Sequence, residues 1–307
     1  MIKQFKYKNI TWLDLSAPTA DDIAEITQQF GIHPVAASEL LQPSQRPKVD
    51  LYDNFIYLVL HFPSPDRLTK TENSNKEDFE IDFVIGKDFL ITTAYEQLEP
   101  MQEFGKIFES NTIMSDKKEI HAGYLLFFIL KHLYRSQETS LESINHSLKK
   151  AENKIFSGNE KEMVRVLANI NKNLLDGRRT LKAHQQVLSS LESSGQEFFG
   201  PKFSYYLRAI IGEYNKVWYM LENSREFFSE LKQTNDSLLQ IKTSESTKIF
   251  TMLAFITFPL TLIATIFSIE ANNTPFVSWR GGFWIIVLVM IALGSLMMGF
   301  YKYKKWL

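Results

Sequence analysis

Hydroxyl side chains recur at alternating steps of three and four residues near the C-terminus: Thr247, Thr251, Thr261, Thr265 and Ser268. Ala254 and Phe258 fill the remaining positions of the same heptad row. The row continues backward through Ser244, Gln240, Ser237 and Gln233. On an α-helix this spacing places every member on one side. The surrounding stretch, roughly residues 249–267, is apolar and about as long as a helix needs to cross a bilayer. A lone helix gains nothing by turning a polar seam to lipid. Copies arranged around an axis would make the seam a water-lined pore, with Thr247, Phe250, Thr251, Ala254, Phe258, Thr261 and Thr265 as its lining. The plainer use of membrane hydroxyls is helix–helix packing.

Ser268, Ile269, Glu270, Asn272 and Asn273 follow this segment and would stand at the mouth of such a pore. Glu270 is the candidate metal-binding residue. A ring of its carboxylates would concentrate cations. Magnesium sheds water reluctantly and is often held through its hydration shell, which a carboxylate ring can do. The same ring suits calcium, manganese or zinc, and the plain alternative is a solvated helix-end acid. Phe250 and Phe258 are candidates for constrictions that gate by dewetting. Packing against a neighbouring span is the alternative for both.

A second apolar stretch, roughly 283–301, completes a pair. Lys242 and Lys248 precede the first span, and Lys302, Lys304 and Lys305 follow the second. The connecting loop, 268–282, carries one basic residue, Arg280. The positive-inside rule then puts both termini in the cytoplasm and the loop outside. Trp279, Trp284, Tyr301 and Trp306 stand where interfacial aromatics belong. The N-terminus, starting Met1-Ile2-Lys3-Gln4, is too polar for a signal peptide.

The chain has 307 residues and a formal net charge of −1, so no basic field points to nucleic acid. It has no cysteine, which excludes thiolate metal sites, disulfides and a cysteine nucleophile. None of the six histidines has a zinc-ligand partner at a convincing spacing. No P-loop, dinucleotide fingerprint or nucleophile elbow is present, so the reading is not an enzyme and needs no cofactor.

Three regions follow. Residues 1–115 read as a cytosolic α/β domain. Thr19 caps a helix that has Asp21 and Asp22 in its first turn and Gly31 at its end. A short helix follows at 34–41, with His33 at its start. Residues 51–61 suit one strand, and 81–85 and 89–93 flank Gly86-Lys87-Asp88 as a hairpin. Residues 63–78 read as a loop. Residues 116–248 form a long-helix and stalk region. Helices are expected at 120–156 and 160–191, with breaks at Gly158-Asn159 and Ser193-Ser194-Gly195. One continuous helix is then expected from near Pro201 to Phe267, roughly 100 Å long. Glu142, Glu152 and Glu160 read as solvated helix faces. Residues 249–307 hold the two spans. Pro259 inside the first is tolerable where neighbours or local kinks satisfy the freed carbonyl. Two spans per chain cannot enclose a pore, so transport requires an oligomer.

Several ordered motifs resemble the CorA-type divalent cation channels over nearly the whole length. Trp12-Leu13-Asp14, Pro18-Thr19 and His33-Pro34 resemble the family's opening pattern, and Gln45-Arg46-Pro47-Lys48 followed by Tyr52 is similar to its QRPK stretch. The run from Phe83 to Thr92 resembles its hairpin. Lys242-Thr243-Ser244-Glu245 resembles the stalk exit, and the run from Phe258 to Ala264 resembles the core of the first span. The basic end with Lys305-Trp306-Leu307 completes the set. The resemblance implies a funnel-shaped homopentamer in a prokaryotic inner membrane, with Mg2+, and Co2+ or Ni2+ with it, as the transported ion. Zinc transport on the same fold, or a non-conducting membrane-anchored sensor or scaffold, are the alternatives.

Two departures stand out. The family usually ends its first span with Gly-Met-Asn, where this chain has Ser268-Ile269-Glu270. Asn272 or Asn273 reaches the mouth only in a shifted register. The family often carries interface aspartates in the stalk, whereas Tyr206-Leu207-Arg208 is followed here by Ala209-Ile210-Ile211.

Overall fold

The computed structural model describes residues 2–64, 78–110, 121–269 and 281–304. The chain divides into two compact units, Met1–Gln233 and Thr234–Leu307.

The first unit is built on a six-stranded sheet. Its strands are β1 (Ile2–Tyr7), β2 (Ile10–Ser16), β3 (Lys48–Leu51), β4 (Ile56–Phe62), β5 (Phe79–Ile85) and β6 (Phe89–Ala94). They stand in the order β1-β2-β6-β5-β4-β3. Only β2 and β6 run parallel; all other neighbours are antiparallel. The expected hairpin at Gly86-Lys87-Asp88 joins β5 to β6. The single strand expected at 51–61 is instead two, because Asp53-Asn54 turns the chain and pairs Leu51 with Ile56. Central strands β4, β5 and β6 are covered on both faces, so they read as unbroken apolar runs without alternation.

Two helices pack on one face of the sheet, α1 (Ala20–Phe30) and α2 (Pro34–Glu39). Thr19 caps α1 as expected. Its hydroxyl accepts from Asp22 N–H, and the Asp22 carboxylate accepts from Thr19 N–H. Gly31 closes α1 at φ 65°, a left-handed conformation that only glycine adopts without strain. His33 caps α2 through Nδ1, which accepts from Val35 N–H. Ile23, Ile26, Ile32 and Leu40 from this layer meet Leu13, Leu15, Tyr57, Val59, Val84 and Ile91 of the sheet.

The long helices follow: α3 (Glu99–Glu109), α4 (Ala122–Phe156), α5 (Glu160–Lys182), α6 (His184–Phe199), a 3-10 turn (Pro201–Phe203) and α7 (Ser204–Phe267). The sequence placed a break at Ser193-Ser194-Gly195, but α6 runs through it and ends at Gly200, φ 89°. The earlier break falls at Ala183, where no glycine or proline asks for one. Its cause is tertiary. His184 is wholly buried; its Nε2–H donates to His61 carbonyl at 2.7 Å and its Nδ1 accepts from Tyr134 O–H at 2.8 Å. Burial holds the ring neutral, with its pKa lowered to about 4. Glu160, expected on a solvated face, is buried in the first turn of α5, where the helix dipole favours an acid. Glu142 is exposed as expected, and Glu152 is half-buried.

The single long helix expected from Pro201 to Phe267 is present, with Pro259 inside it. The second unit consists of the end of α7 and α8 (Gly282–Tyr303). Both helices are long and apolar enough to cross a membrane, and almost none of their apolar surface is covered within the unit.

Candidate functional site

The hydroxyl seam lies in the second unit, on α7. Thr247, Thr251, Thr261, Thr265 and Ser268 are all exposed there, and Ala254 is half-buried. Each threonine donates its proton back to the helix. Thr247 bonds Thr243 carbonyl, Thr251 bonds Thr247 carbonyl, Thr261 bonds Thr257 carbonyl, and Thr265 bonds Thr261 carbonyl, at 2.8 to 2.9 Å. The donors are satisfied internally, and the oxygen lone pairs remain on the outer surface. The seam is therefore a row of acceptors, the polarity that suits a cation or the waters around one.

Two further threonines extend the row. Thr243 donates to Leu239 carbonyl and Thr257 to Leu253 carbonyl in the same way. The heptad reading passed over both. Their signal was a strict spacing of four, Thr243-Thr247-Thr251 and Thr257-Thr261-Thr265, which makes two ladders of back-bonded hydroxyls.

A different face of α7 meets α8. Met252 is buried, and Ile256, Leu260, Ile263 and Phe267 are half-buried along one row. Ile256 and Leu260 border a groove of about 460 Å³ with Val287, Met290, Ile291 and Gly294 of α8. At about 100° per residue this row and the seam are centred roughly 170° apart on the helix. Along residues 256–267 the second span therefore packs behind the seam and leaves it open. α8 itself carries one small hydroxyl residue, Ser295.

Phe258 is 74 % exposed and Phe250 71 %, so neither ring is held by the chain's own second span. A groove of about 430 Å³ lies along the first part of the seam, bordered by Gln240, Ser244, Thr247 and Thr251 with Phe255 and with Tyr301 of α8. At the far end of α7, Ser268 N–H donates to Ala264 and Thr265 carbonyls, and Ile269 is exposed. Glu270, Asn272 and Asn273 lie outside the described residues, as do Trp279, Arg280 and Lys305-Trp306-Leu307. Among the described residues no group of three or more acids and histidines is placed to hold a metal ion.

The first unit carries a second polar cluster, on β4 and β5. Glu80 accepts Ser44 N–H at 2.8 and 2.9 Å and faces His61 Nε2 at 2.8 Å. Burial works against its charge, but His61, Ser44 and Asp82 outweigh it and hold the Glu80 pKa below the usual value. Asp82 is fully buried. That burial, with the charge of Glu80 beside it, raises its pKa to about 8. Burial also disfavours a charged His61, but Glu80 and Ser44 carbonyl outweigh it and raise the ring's pKa. Strand register brings the cluster together, pairing His61 with Glu80 and Val59 with Asp82.

Comparison with known proteins places the chain. The family model described as CorA-like Mg2+ transporter protein matches residues 7–302. The cobalt/magnesium transport protein CorA of Thermotoga maritima is 26% identical over 302 residues, covering 97% of this chain and 83% of that one. The complete structure of the CorA magnesium transporter from Methanocaldococcus jannaschii superposes with a TM-score of 0.83 at 18% identity, over 99% of this chain and 93% of that one. The full-length CmaX protein superposes with a TM-score of 0.71 at 15% identity, over 97% and 89%. With the sheet, the long helices and two apolar C-terminal helices in the same order, this chain belongs to the CorA-like Mg2+ transporter protein family.

Proposed function

We propose that this chain is a passive channel for divalent cations, assembled from five copies in a prokaryotic inner membrane with both termini cytoplasmic. Mg2+ is the first ion of this reading, with Co2+ and Ni2+ beside it. In it, residues 1–115 and 116–248 form the cytosolic funnel and 249–307 the membrane part. α7 lines the pore and α8 stands behind it. The observation that carries the reading is the open row of acceptor oxygens on α7, roughly opposite the row that packs on α8. An isolated copy would turn that row to lipid, whereas a ring of copies turns it to water.

The mouth belongs to Ser268, Ile269 and Glu270 in this reading, with Asn272 and Asn273 just beyond, and Glu270 faces the ion. The membrane potential is a sufficient driver. A divalent ion gains about 4.6 kcal/mol per 100 mV, twice the single-charge value. That sustains a concentration ratio of over about a thousandfold.

The test is ion flux into proteoliposomes with Mg2+, Co2+, Ni2+, Zn2+ and Ca2+ in parallel, at a set inside-negative potential. The expected result is Mg2+ uptake that grows with the potential and falls in Glu270→Gln. Zn2+ uptake that follows a pH gradient would move the assignment to transition metals. A stable oligomer without flux would make the protein a membrane-anchored sensor or scaffold.

A further inference from the structure

The polar cluster on β4 and β5 sets one phenol proton among three acceptors. Tyr95 hydroxyl lies 2.8 Å from Gln42 carbonyl, 3.2 Å from Glu39 carbonyl and 3.2 Å from Asp82 Oδ2. A phenol carries one proton, and neither carbonyl has one to give. If Tyr95 donates to Gln42, the contact with Asp82 is a hydrogen bond only when Asp82 holds a proton. Glu80 already accepts from Ser44 N–H and faces His61, so it is the ionised member. Asp82 receives the Tyr57 hydroxyl at 3.1 Å on Oδ2, while its buried Oδ1 has no donor. An ionised Asp82 would leave that oxygen desolvated and unpaired.

We propose that Asp82 holds a proton on Oδ2, donated to the Tyr95 hydroxyl oxygen, and that this proton latches the α2–β3 segment, residues 40–47, onto the sheet. The latch has three parts. Glu80 holds Ser44 N–H, His61 Nε2–H faces both Ser44 carbonyl and Glu80, and Tyr95 holds Gln42 carbonyl. Loss of the proton to water puts two carboxylates side by side in a buried site. Tyr95 then turns its hydroxyl proton to Asp82 Oδ2 and releases Gln42, while repulsion from Asp82 loosens Glu80 from Ser44. The segment exposes Leu41, Gln45 and Arg46, so its release changes the surface of the first unit.

The surrounding groups leave the assignment of the proton intact. From β3, Lys48 lies over the Tyr57 ring and pairs with Glu39 at 2.6 Å and Asp50 at 2.8 Å. At the start of β5, Asp78 adds negative charge near His61 and accepts the Thr180 hydroxyl from α5. From α6, neutral His184 bonds the His61 carbonyl and, on its other side, the Tyr134 hydroxyl. From β6, Thr93 stands in register with Asp82, and its buried hydroxyl has no hydrogen-bond partner among the described residues. No cation among these groups touches Asp82 to stabilise a second negative charge.

The inference stands apart from ion conduction and is tested without flux. Infrared difference spectra of the full chain, in a detergent free of ester groups, compare about pH 6.5 with about pH 9.5. The expected result is a protonated-carboxyl band at the lower pH, absent at the higher pH and absent from Asp82→Asn. Hydrogen exchange, corrected for its intrinsic pH dependence, reads residues 40–47 over the same range. Protection should fall about tenfold or more in the wild type and stay flat in Asp82→Asn, whose amide keeps a donor toward Tyr95. Tyr95→Phe serves if Asp82→Asn fails to fold: it keeps Asp82 buried but loses the Gln42 bond, so protection starts low and the band persists. No wild-type band, or a segment whose protection ignores pH or changes equally in Asp82→Asn, overturns the latch.

Discussion

His184 and Thr265 satisfy their polar atoms in opposite settings. His184 sits inside the first unit with both ring nitrogens bonded across elements distant in sequence, to Tyr134 and to His61 carbonyl. Thr265 sits on the surface of the second unit and bonds only its own helix, one turn away. The contrast extends to the apolar residues. Leu58, Leu60 and Phe83 are fully covered in the sheet, while Leu288, Leu296 and Phe300 stand open on α8. The first unit is specified by tertiary contacts, as a water-soluble core must be. The second is specified within each helix, as expected where lipid replaces the core and every backbone group must be paired locally.

The strongest way to break this comparison is one substitution made in both units. Leu60→Asp puts an unpaired carboxylate into the covered centre of β4 and should cost about 5 kcal/mol or more, enough to abolish folding of the first unit. Leu288→Asp should leave thermal unfolding in detergent unchanged, and should cost about 3 kcal/mol only when the helix partitions into a bilayer. Unfolding in detergent checks the first and a membrane-insertion assay the second. Equal loss of stability from both would mean that the second unit has a covered core after all.

A smaller effect separates two buried titrating groups of the first unit. His184 has a depressed pKa, so the unfolded chain binds the extra proton between about pH 4 and about pH 6.5. Stability from this group rises with pH across that window, by on the order of 3 kcal/mol, and is lost as pH falls. Asp82 has a raised pKa, so the folded chain binds the extra proton between about pH 4 and about pH 8. Its contribution is full below the ordinary carboxylate pKa and is lost as pH rises to about 8. The two slopes oppose each other in acid, and above about pH 6.5 that of Asp82 remains, with the loss of the His61 proton in the same direction. Urea unfolding of the wild type should therefore be nearly flat in acid and should weaken toward pH 8. Asp82→Asn should reduce that weakening to the part carried by His61 and uncover the acid rise from His184.

Helix-interior glycines give an effect of about 1 kcal/mol, the usual gain of alanine over glycine. A Cβ built at Gly294 would lie 3.6 Å from Leu260 Cδ1, an ordinary contact, so Gly294→Ala should stabilise. A Cβ at Gly195 would lie 2.7 Å from Leu207 Cδ1. That side chain must move in a packed interior, so Gly195→Ala should lose the gain or reverse it. Melting temperatures of the two variants decide whether packing is looser in the second unit.

These contrasts also explain what could be read from sequence. The seam and the long α7 were legible because helical periodicity is a local property, carried by residues three and four apart. Caps at Thr19, His33 and Gly31 were legible for the same reason. The β1–β2 hairpin was not, because β1 is an edge strand whose residues are never fully buried, so its pattern is faint. The break at Ala183 was invisible because its cause, His61 carbonyl, is 123 positions away. The Glu80–Asp82 cluster was missed for a related reason. Neither acid belongs to a motif, and only the register of β4 on β5 brings His61 and Tyr57 to them. The four-residue threonine ladder was present in the sequence, and a search for heptads alone passed over Thr243 and Thr257.

A small change in stability is also expected at Phe258, a residue of the proposed pore lining. Phe258 stands on the seam with most of its ring uncovered, so Phe258→Ala removes little packing from the chain itself. Its effect on unfolding should stay within about 0.5 kcal/mol, the range of ordinary surface substitutions. In a ring of copies the same phenyl group would narrow the axis and repel water, a constriction that closes by dewetting. Removing it should then raise leak conductance in planar bilayers. The opposite pattern, lost oligomer stability without added conductance, would show that Phe258 packs between copies and does not close the axis.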